Sequence, residues 1–239
     1  MSKKPLVLLI AAGIAFSGPV FAQSAAMPPT TTLPASNPFY ADSTLPLHYP
    51  AFDKIKDSDF APAFDAGMSQ QLAEMEAIAN DPAKPTFANT IVPMEKSGAI
   101  LSRALSVFFN LVGADTNPAR DKIQSDYSAK FAAHRDAINL NPKLFARVKA
   151  LYDGRASAGY DAEDLRLVEK YYDDFVRSGA LLSAADQAKL KQINAELAEL
   201  GTKFSQNVLA EVNDSAVVVD TKAELAGMSE DQIATAAKA

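Results

Sequence analysis

The chain has 239 residues, of which 48% are hydrophobic and 22% are charged, and its formal net charge is −6. These values are ordinary for a globular protein that buries a sizeable core, in one large domain or two small ones. The acidic balance and the lack of a basic stripe argue against nucleic-acid binding. The sequence has no cysteine, which excludes disulfides, thiolate metal sites and cysteine nucleophiles.

The first 22 residues, Met1–Ala22, have the features of a secretory signal peptide. Two lysines precede an apolar run at residues 6–16, and Val20 and Ala22 stand at the −3 and −1 positions of a cleavage site. A membrane anchor is the alternative, but the run is short for the roughly 30 Å of a bilayer core. Cleavage after Ala22 leaves 21 basic against 29 acidic residues, a net charge of −8. We expect a soluble, periplasmic mature chain that has no membrane contact after cleavage.

Residues 23–57 are predicted to precede the helical body. Gln23–Ser36 is rich in alanine, proline and threonine, which is typical of a flexible leader. Asn37–Asp57 is too apolar for a free linker and is interpreted as an extended arm on the body. The side chains expected to anchor the arm are Phe39, Tyr40, Leu45, Tyr49 and Phe52. His48 in this arm is interpreted as a surface or packing residue, not as a metal ligand.

Apolar residues at steps of three and four predict three helices in the first half of the body. The first runs from about Ser58 to Asn80, and the second from Thr86 to Val112 with a kink at Pro93. The third extends to Asn139 from Asn117-Pro118, a cap followed by a first-turn proline. His134 lies on its apolar face and is interpreted as a hydrogen-bonded residue of the core or its rim.

Two shorter helices follow. The first is predicted from Asn141 to about Asp153, and the second from a cap at Asp161 to a closing glycine, Gly179. The pair Tyr171-Tyr172 lies on the second of them. A ligand-stacking surface is one interpretation of this pair, and core packing is the favoured one.

The longest periodic stretch is Ser183–Glu211, which predicts a helix of roughly seven to eight turns. Its apolar residues form a single stripe: Leu190, Ile193, Leu197, Leu200, Phe204 and Val208. A stripe of this length is predicted to need two or more helices packed along it, and the upstream helices are expected to supply them.

The last part of the chain combines a strand signal with helix signals. Ser215–Val219 is β-branched and predicts a short strand near Ala216–Val219, and a short helix is predicted at Lys222–Ala226. Ser229 with Gln232 forms a capping box that starts another helix, which the chain end at Ala239 cuts short. We therefore expect residues 58–239 to be a helical lobe truncated at its C-terminus.

Familiar catalytic motifs are missing from the sequence. It contains no phosphate-binding loop, no dinucleotide fingerprint, no nucleophile elbow and no H-E-x-x-H zinc motif. Its acidic residues fall at helix starts or on polar faces. From the residues alone the chain is an all-α exported domain to which no catalytic, cofactor-binding or metal-binding residue is assigned.

Several segments, taken in order, resemble the N-terminal region of the peptidyl-dipeptidases (dipeptidyl carboxypeptidases) of the thimet-oligopeptidase-like family of zinc peptidases. The opening NPF…STLP and the later LAGMSE favour this branch over the oligopeptidases. The matching segments cover nearly the whole mature chain: Asn37–Met68, Phe87–Leu111, Leu140–Asp153, Leu165–Leu182, Lys191–Glu211 and Ala223–Ala237.

The resemblance implies a mostly helical, two-lobed enzyme around a deep channel that releases C-terminal dipeptides from short peptides. In the family, the two histidines of H-E-x-x-H and a downstream glutamate bind one zinc, and the glutamate of the motif activates water. That motif is absent here, so zinc is expected only in the parent enzyme and no metal or catalytic residue carries over. This chain would form the channel wall, with short peptides and the missing C-terminal catalytic lobe as its partners.

Two other readings of the sequence stay open. One is a stand-alone helical periplasmic module that binds peptides or a partner without catalysis, and the other is a non-functional truncation product. If the chain is a lobe of a larger enzyme, it should expose a large apolar patch or self-associate.

Overall fold

The computed structural model describes residues 32–215, residue 219 and residues 221–237, and this part of the chain is all-α, as predicted. Its helices are α1 (Phe60–Ala79), α2 (Ile91–Lys96), α3 (Ala99–Ala114), α4 (Pro118–Asn139), α5 (Pro142–Gly154), α6 (Ala162–Arg177), α7 (Ala184–Asp214) and α8 (Glu230–Ala236). The predicted signal peptide, most of the leader and residues 216–218 of the predicted strand lie outside the described residues.

Local capping explains where the middle helices begin. Asn117 accepts a hydrogen bond from the Arg120 backbone at 2.9 Å, and Asn141 accepts two from the first turn of α5. Asp161 does the same for α6, and Ser229 and Gln232 form the predicted capping box of α8. These side chains satisfy amide groups that have no partner inside the helix, so the predicted starts are confirmed.

The predicted second helix is wrong in two respects: it begins at Ile91 rather than Thr86, and it is two helices that meet at Gly98 rather than one helix kinked at Pro93. Pro93 is the third residue of α2, where a backbone amide would have no partner inside the helix, so the proline breaks nothing. Gly98 has a left-handed conformation with φ of 71° and donates its backbone N–H to Glu74 at 2.8 Å. The break between α2 and α3 is therefore stabilised by a contact between Gly98 and α1.

An aromatic cluster forms the core between α1, α3 and α4. Phe64 is fully buried, and its ring lies 5.1–6.0 Å from those of four neighbours. These neighbours are Phe60, Phe108, Tyr127 and Phe131. A second core joins the end of α1 to α2, α5 and α6 and includes Met75, Met94, Leu144, Val148 and Phe175. The two cores together make these helices one packed body.

The arm lies on this body, though fewer of its side chains anchor it than predicted. Phe39 is buried with its ring 5.3 Å from that of Phe60, and Phe52 is half-buried. The other three predicted anchors are exposed and do not hold the arm: Tyr40, Leu45 and Tyr49. Sequence reasoning missed Arg103, which donates to Asp42 and to the carbonyl oxygens of Phe39 and Tyr40.

Candidate functional surface

The two histidines lie in different environments and do not form a common site. His48 is exposed in the arm, and its Nδ1 lies 2.9 Å from the Ser43 carbonyl oxygen. His134 is buried on α4, and its Nε2 lies 2.7 Å from the Gln71 side-chain oxygen. His48 is thus at the surface and His134 is a hydrogen-bonded residue of the core, which agrees with the interpretation of each. Among the described residues no group of three or more histidine, aspartate or glutamate side chains could hold a metal ion.

Burial of His134 lowers the pKa of its imidazole below the ordinary value of 6.5. The physical cause is loss of hydration, which disfavours the charged form. Between the unfolded and folded pKa values, the unfolded chain binds the proton more readily than the folded chain. This histidine therefore contributes stability that is fully present above pH 6.5 and declines as the pH falls below it.

Replacing His134 by glutamine is expected to remove this part of the acid sensitivity. The midpoint of urea unfolding should fall less between pH 7.5 and pH 5.5 in His134→Gln than in the unmodified chain. His48→Gln is the matched control, since His48 lies outside the core, and it should keep the original pH dependence. An unchanged slope in His134→Gln would contradict this account.

The tyrosine pair on α6 is part of the packed body. Tyr172 stacks on Tyr152 with ring centroids 3.8 Å apart and planes 8° apart, and the Arg155 guanidinium covers the opposite side of Tyr152. Tyr171 donates its hydroxyl to Glu95 at 2.6 Å, and burial followed by this hydrogen bond raises its pKa. Because both rings are engaged in this way, the packing interpretation is favoured over a ligand-stacking surface.

Three adjoining cavities meet at the C-terminal end of α4, and Asn139 lines all of them. Their volumes are about 390, 350 and 240 Å³. The largest has an apolar wall of Leu105, Phe109 and Phe131 with His134 at its side, and Arg177 lines the other two. This groove offers a mixed surface for a ligand or partner, without a catalytic arrangement.

The apolar stripe predicted on the longest helix lies on α7, and we call it the α7 stripe. It is exposed, which contradicts the prediction that upstream helices cover it. Phe204 is 70% exposed and Leu197 is 65% exposed, although Leu190 is half-buried. The other exposed members are Ile193, Leu200 and Val208. Helix α7 itself is present with nearly the predicted bounds, and α4 is the element against which it packs most extensively. The structure thus confirms the helix and overturns the predicted packing of its apolar face.

A different face of α7 contacts α4, and it is made of small and polar residues. Asn194 donates to the buried Asp136 carboxylate at 2.8 Å, and Gln206 donates to the Asp121 carbonyl oxygen at 2.9 Å. Half-buried side chains on this face include Ala195, Ala198 and Thr202. The face lies about 140° round the helix from the centre of the stripe. The sequence does mark this α4-facing side, by small and polar residues at helical spacing. A search for periodicity overlooks it because large apolar residues give the stronger pattern.

None of the helices formed by residues 32–215 and 221–237 has both the length and the apolar character needed to span a bilayer.

Comparison with known proteins gives a consistent set of relatives. No protein-family model matches the chain. The chain is 47% identical over 203 residues to the dipeptidyl carboxypeptidase of Escherichia coli strain K12 and 44% identical over 205 residues to that of Salmonella typhimurium. These matches cover 85% and 86% of this chain. Oligopeptidase A of E. coli is 26% identical over 191 residues, or 80% of the chain.

The chain spans only about 30% of the length of these relatives. The two dipeptidyl carboxypeptidases match the chain at higher identity than oligopeptidase A does. Over most of its own length the chain is therefore similar to the dipeptidyl carboxypeptidases and, at lower identity, to oligopeptidase A, a member of the thimet-oligopeptidase-like family.

Proposed function

We propose that this chain is the N-terminal portion of an exported, zinc-dependent peptidyl-dipeptidase that releases C-terminal dipeptides from short peptides. The observation that carries the proposal is the 47% identity to a relative named dipeptidyl carboxypeptidase, against 26% for oligopeptidase A. The sequence identity to the dipeptidyl carboxypeptidase is much higher than that to oligopeptidase A, over a similar share of the chain, and this difference favours the dipeptide-releasing branch.

The proposal places the zinc and the groups that activate water in the catalytic lobe of the enzyme, and not in this chain. Two observations support that placement: the described residues contain no cluster of metal-binding side chains, and His48 and His134 each lie within hydrogen-bond distance of another group. In the proposed enzyme the residues of this chain shape the channel and take no part in bond cleavage.

The proposed role of this portion is to form a wall of the channel that admits short peptides and keeps folded proteins out. A body with several hydrophobic clusters suits a fixed wall, because buried contacts hold α1 to α6 together. The groove at Asn139 offers a peptide one concave surface of this body. Met1–Ala22 supports export, since its pattern is that of a signal peptide.

The size and activity of the native protein test this proposal. An immunoblot of the periplasmic fraction with antibody against this segment should reveal a polypeptide much larger than 25.5 kDa. The protein captured by that antibody should release dipeptides from short peptides with a free C-terminus, and a chelator should abolish the release.

A different outcome would favour the stand-alone binding module. A periplasmic band near the size of this chain, without dipeptide release, would contradict the enzyme proposal. A larger protein that cleaves peptides equally well with the chelator present would contradict its zinc dependence alone.

A further inference from the structure

The exposed α7 stripe is unlike the apolar faces of the other long helices. On α6, Val168 and Phe175 point into the core and are almost wholly buried. On α7 the arrangement is reversed, because alanine, threonine and asparagine face α4 while leucine, isoleucine and phenylalanine face solvent. A contiguous apolar face of this kind is typical of a surface that another protein segment covers.

The length of α7 extends this surface beyond α4. Helix α7 has 31 residues and is about 46 Å long, whereas α4 has 22 residues and is about 33 Å long. Asn194 pairs with Asp136 and Gln206 pairs with Asp121, so the two helices run antiparallel. The last turn or two of α7 therefore projects past the start of α4, and this end carries exposed Leu209 and Val212.

The charges beside the stripe favour a protein partner over a membrane surface. Lys189 and Lys203 lie beside it together with Glu196 and Glu199. A helix that binds an anionic bilayer carries an excess of basic residues on its polar face, whereas here the two signs are balanced. Mixed charges at the border of an apolar strip are typical of the rim of a protein interface.

We infer that the α7 stripe is the surface on which the remainder of a dipeptidyl carboxypeptidase polypeptide packs, the remainder being the part outside the matched region. This rests on the proposed function. The relatives match the chain over about 30% of their length, so most of their polypeptide is available as the occupant. The stripe together with the projecting end of α7 forms one long docking edge for it.

Cysteine labelling tests this inference, because the unmodified chain has no cysteine. Leu197→Cys and Val208→Cys place reporters on the stripe, and Gln192→Cys places a matched control on the exposed polar face of the same helix. Each variant is made in the isolated chain and in a chimera in which residues 37–239 replace the matched segment of the E. coli enzyme. Maleimide labelling is followed for each peptide by mass spectrometry.

Both reporters should react at least about tenfold more slowly in the chimera than in the isolated chain, while the control reacts equally in the two. Equal labelling of the reporters in both proteins would overturn the inference. Slow labelling in the isolated chain with the mass of a dimer would assign the stripe to a second copy instead. A chimera that fails to fold while the chain folds would also count against it, because a docking edge must accept its occupant.

The labelling does not depend on peptidase activity. A native protein that releases dipeptides, combined with exposed reporters in the chimera, would refute the docking edge and leave the proposed function intact. Protected reporters combined with an inactive native protein would refute the function and leave the docking edge intact.

Discussion

Replacing Arg147 by methionine is expected to destabilise the chain by about 3 kcal/mol. The Arg147 side chain is 6% exposed, and its guanidinium donates to the carbonyl oxygens of Asp81 and Ala83 and to the Asn89 side chain. It also forms an ion pair with the Asp81 carboxylate at 3.3 Å. Methionine keeps the apolar stem but leaves these acceptors without their common donor, so α5 should lose its hold on the segment between α1 and α2.

The loss should be visible both globally and locally. Urea unfolding would report the lower free energy of unfolding, and limited proteolysis should cut first near Asp81–Asn89, the segment that Arg147 holds. Arg147→Lys should recover less than half of the loss, because an ammonium cannot reproduce the planar fork of donors.

Lys149→Met is the matched control on the same helix. Lys149 pairs with Asp153 at 2.5 Å, but both side chains are about half-exposed, so solvent screens their attraction. The change should leave the midpoint of urea unfolding nearly unchanged. Equal effects of Arg147→Met and Lys149→Met would mean that burial of the guanidinium has no consequence for stability.

The starts of several helices could be predicted because the signals that set them are local. Asn117, Asn141 and Asp161 each cap the helix that begins beside them; a proline follows each asparagine, and acidic residues lie in the first turn after Asp161. Such contacts need no knowledge of the rest of the fold. The helix break at Gly98 could not be predicted in this way, because it depends on Glu74, which is distant in sequence.

The packing of α7 escaped prediction for a related reason. Periodicity locates the apolar face of a helix, but it does not state which segment covers that face. The sequence search assigned Phe204 and Leu197 to the core of this chain, whereas α4 receives the face with Ala198 and Gln206. With the inferred docking edge, the periodicity identified a face that is covered in the whole polypeptide, and the error lay in assigning that cover to the upstream helices.

Replacing Gly67 by alanine is expected to destabilise the chain by about 3 kcal/mol, the upper part of the range for overpacked cores. Gly67 lies at a close approach of α1 to α3, and a Cβ there would lie 2.7 Å from the backbone nitrogen and 2.8 Å from the Cα of Leu101. Backbone atoms cannot rotate away as a side chain does, so the two helices would have to separate. Phe64 on the same stretch of α1 would then lose contact with Phe108.

Gly201→Ala is the matched control and is expected to change the free energy of unfolding in the opposite direction. Gly201 lies inside α7, and a Cβ there would meet no heavy atom within 4 Å. Alanine at an open helix position restricts the unfolded chain without strain, so the isolated chain should gain about 0.5–1 kcal/mol. Chemical denaturation of both variants separates the two effects by sign. If Gly67→Ala were neutral or stabilising, α1 and α3 could not cross as closely as they do here, and the aromatic cluster would not depend on that close crossing.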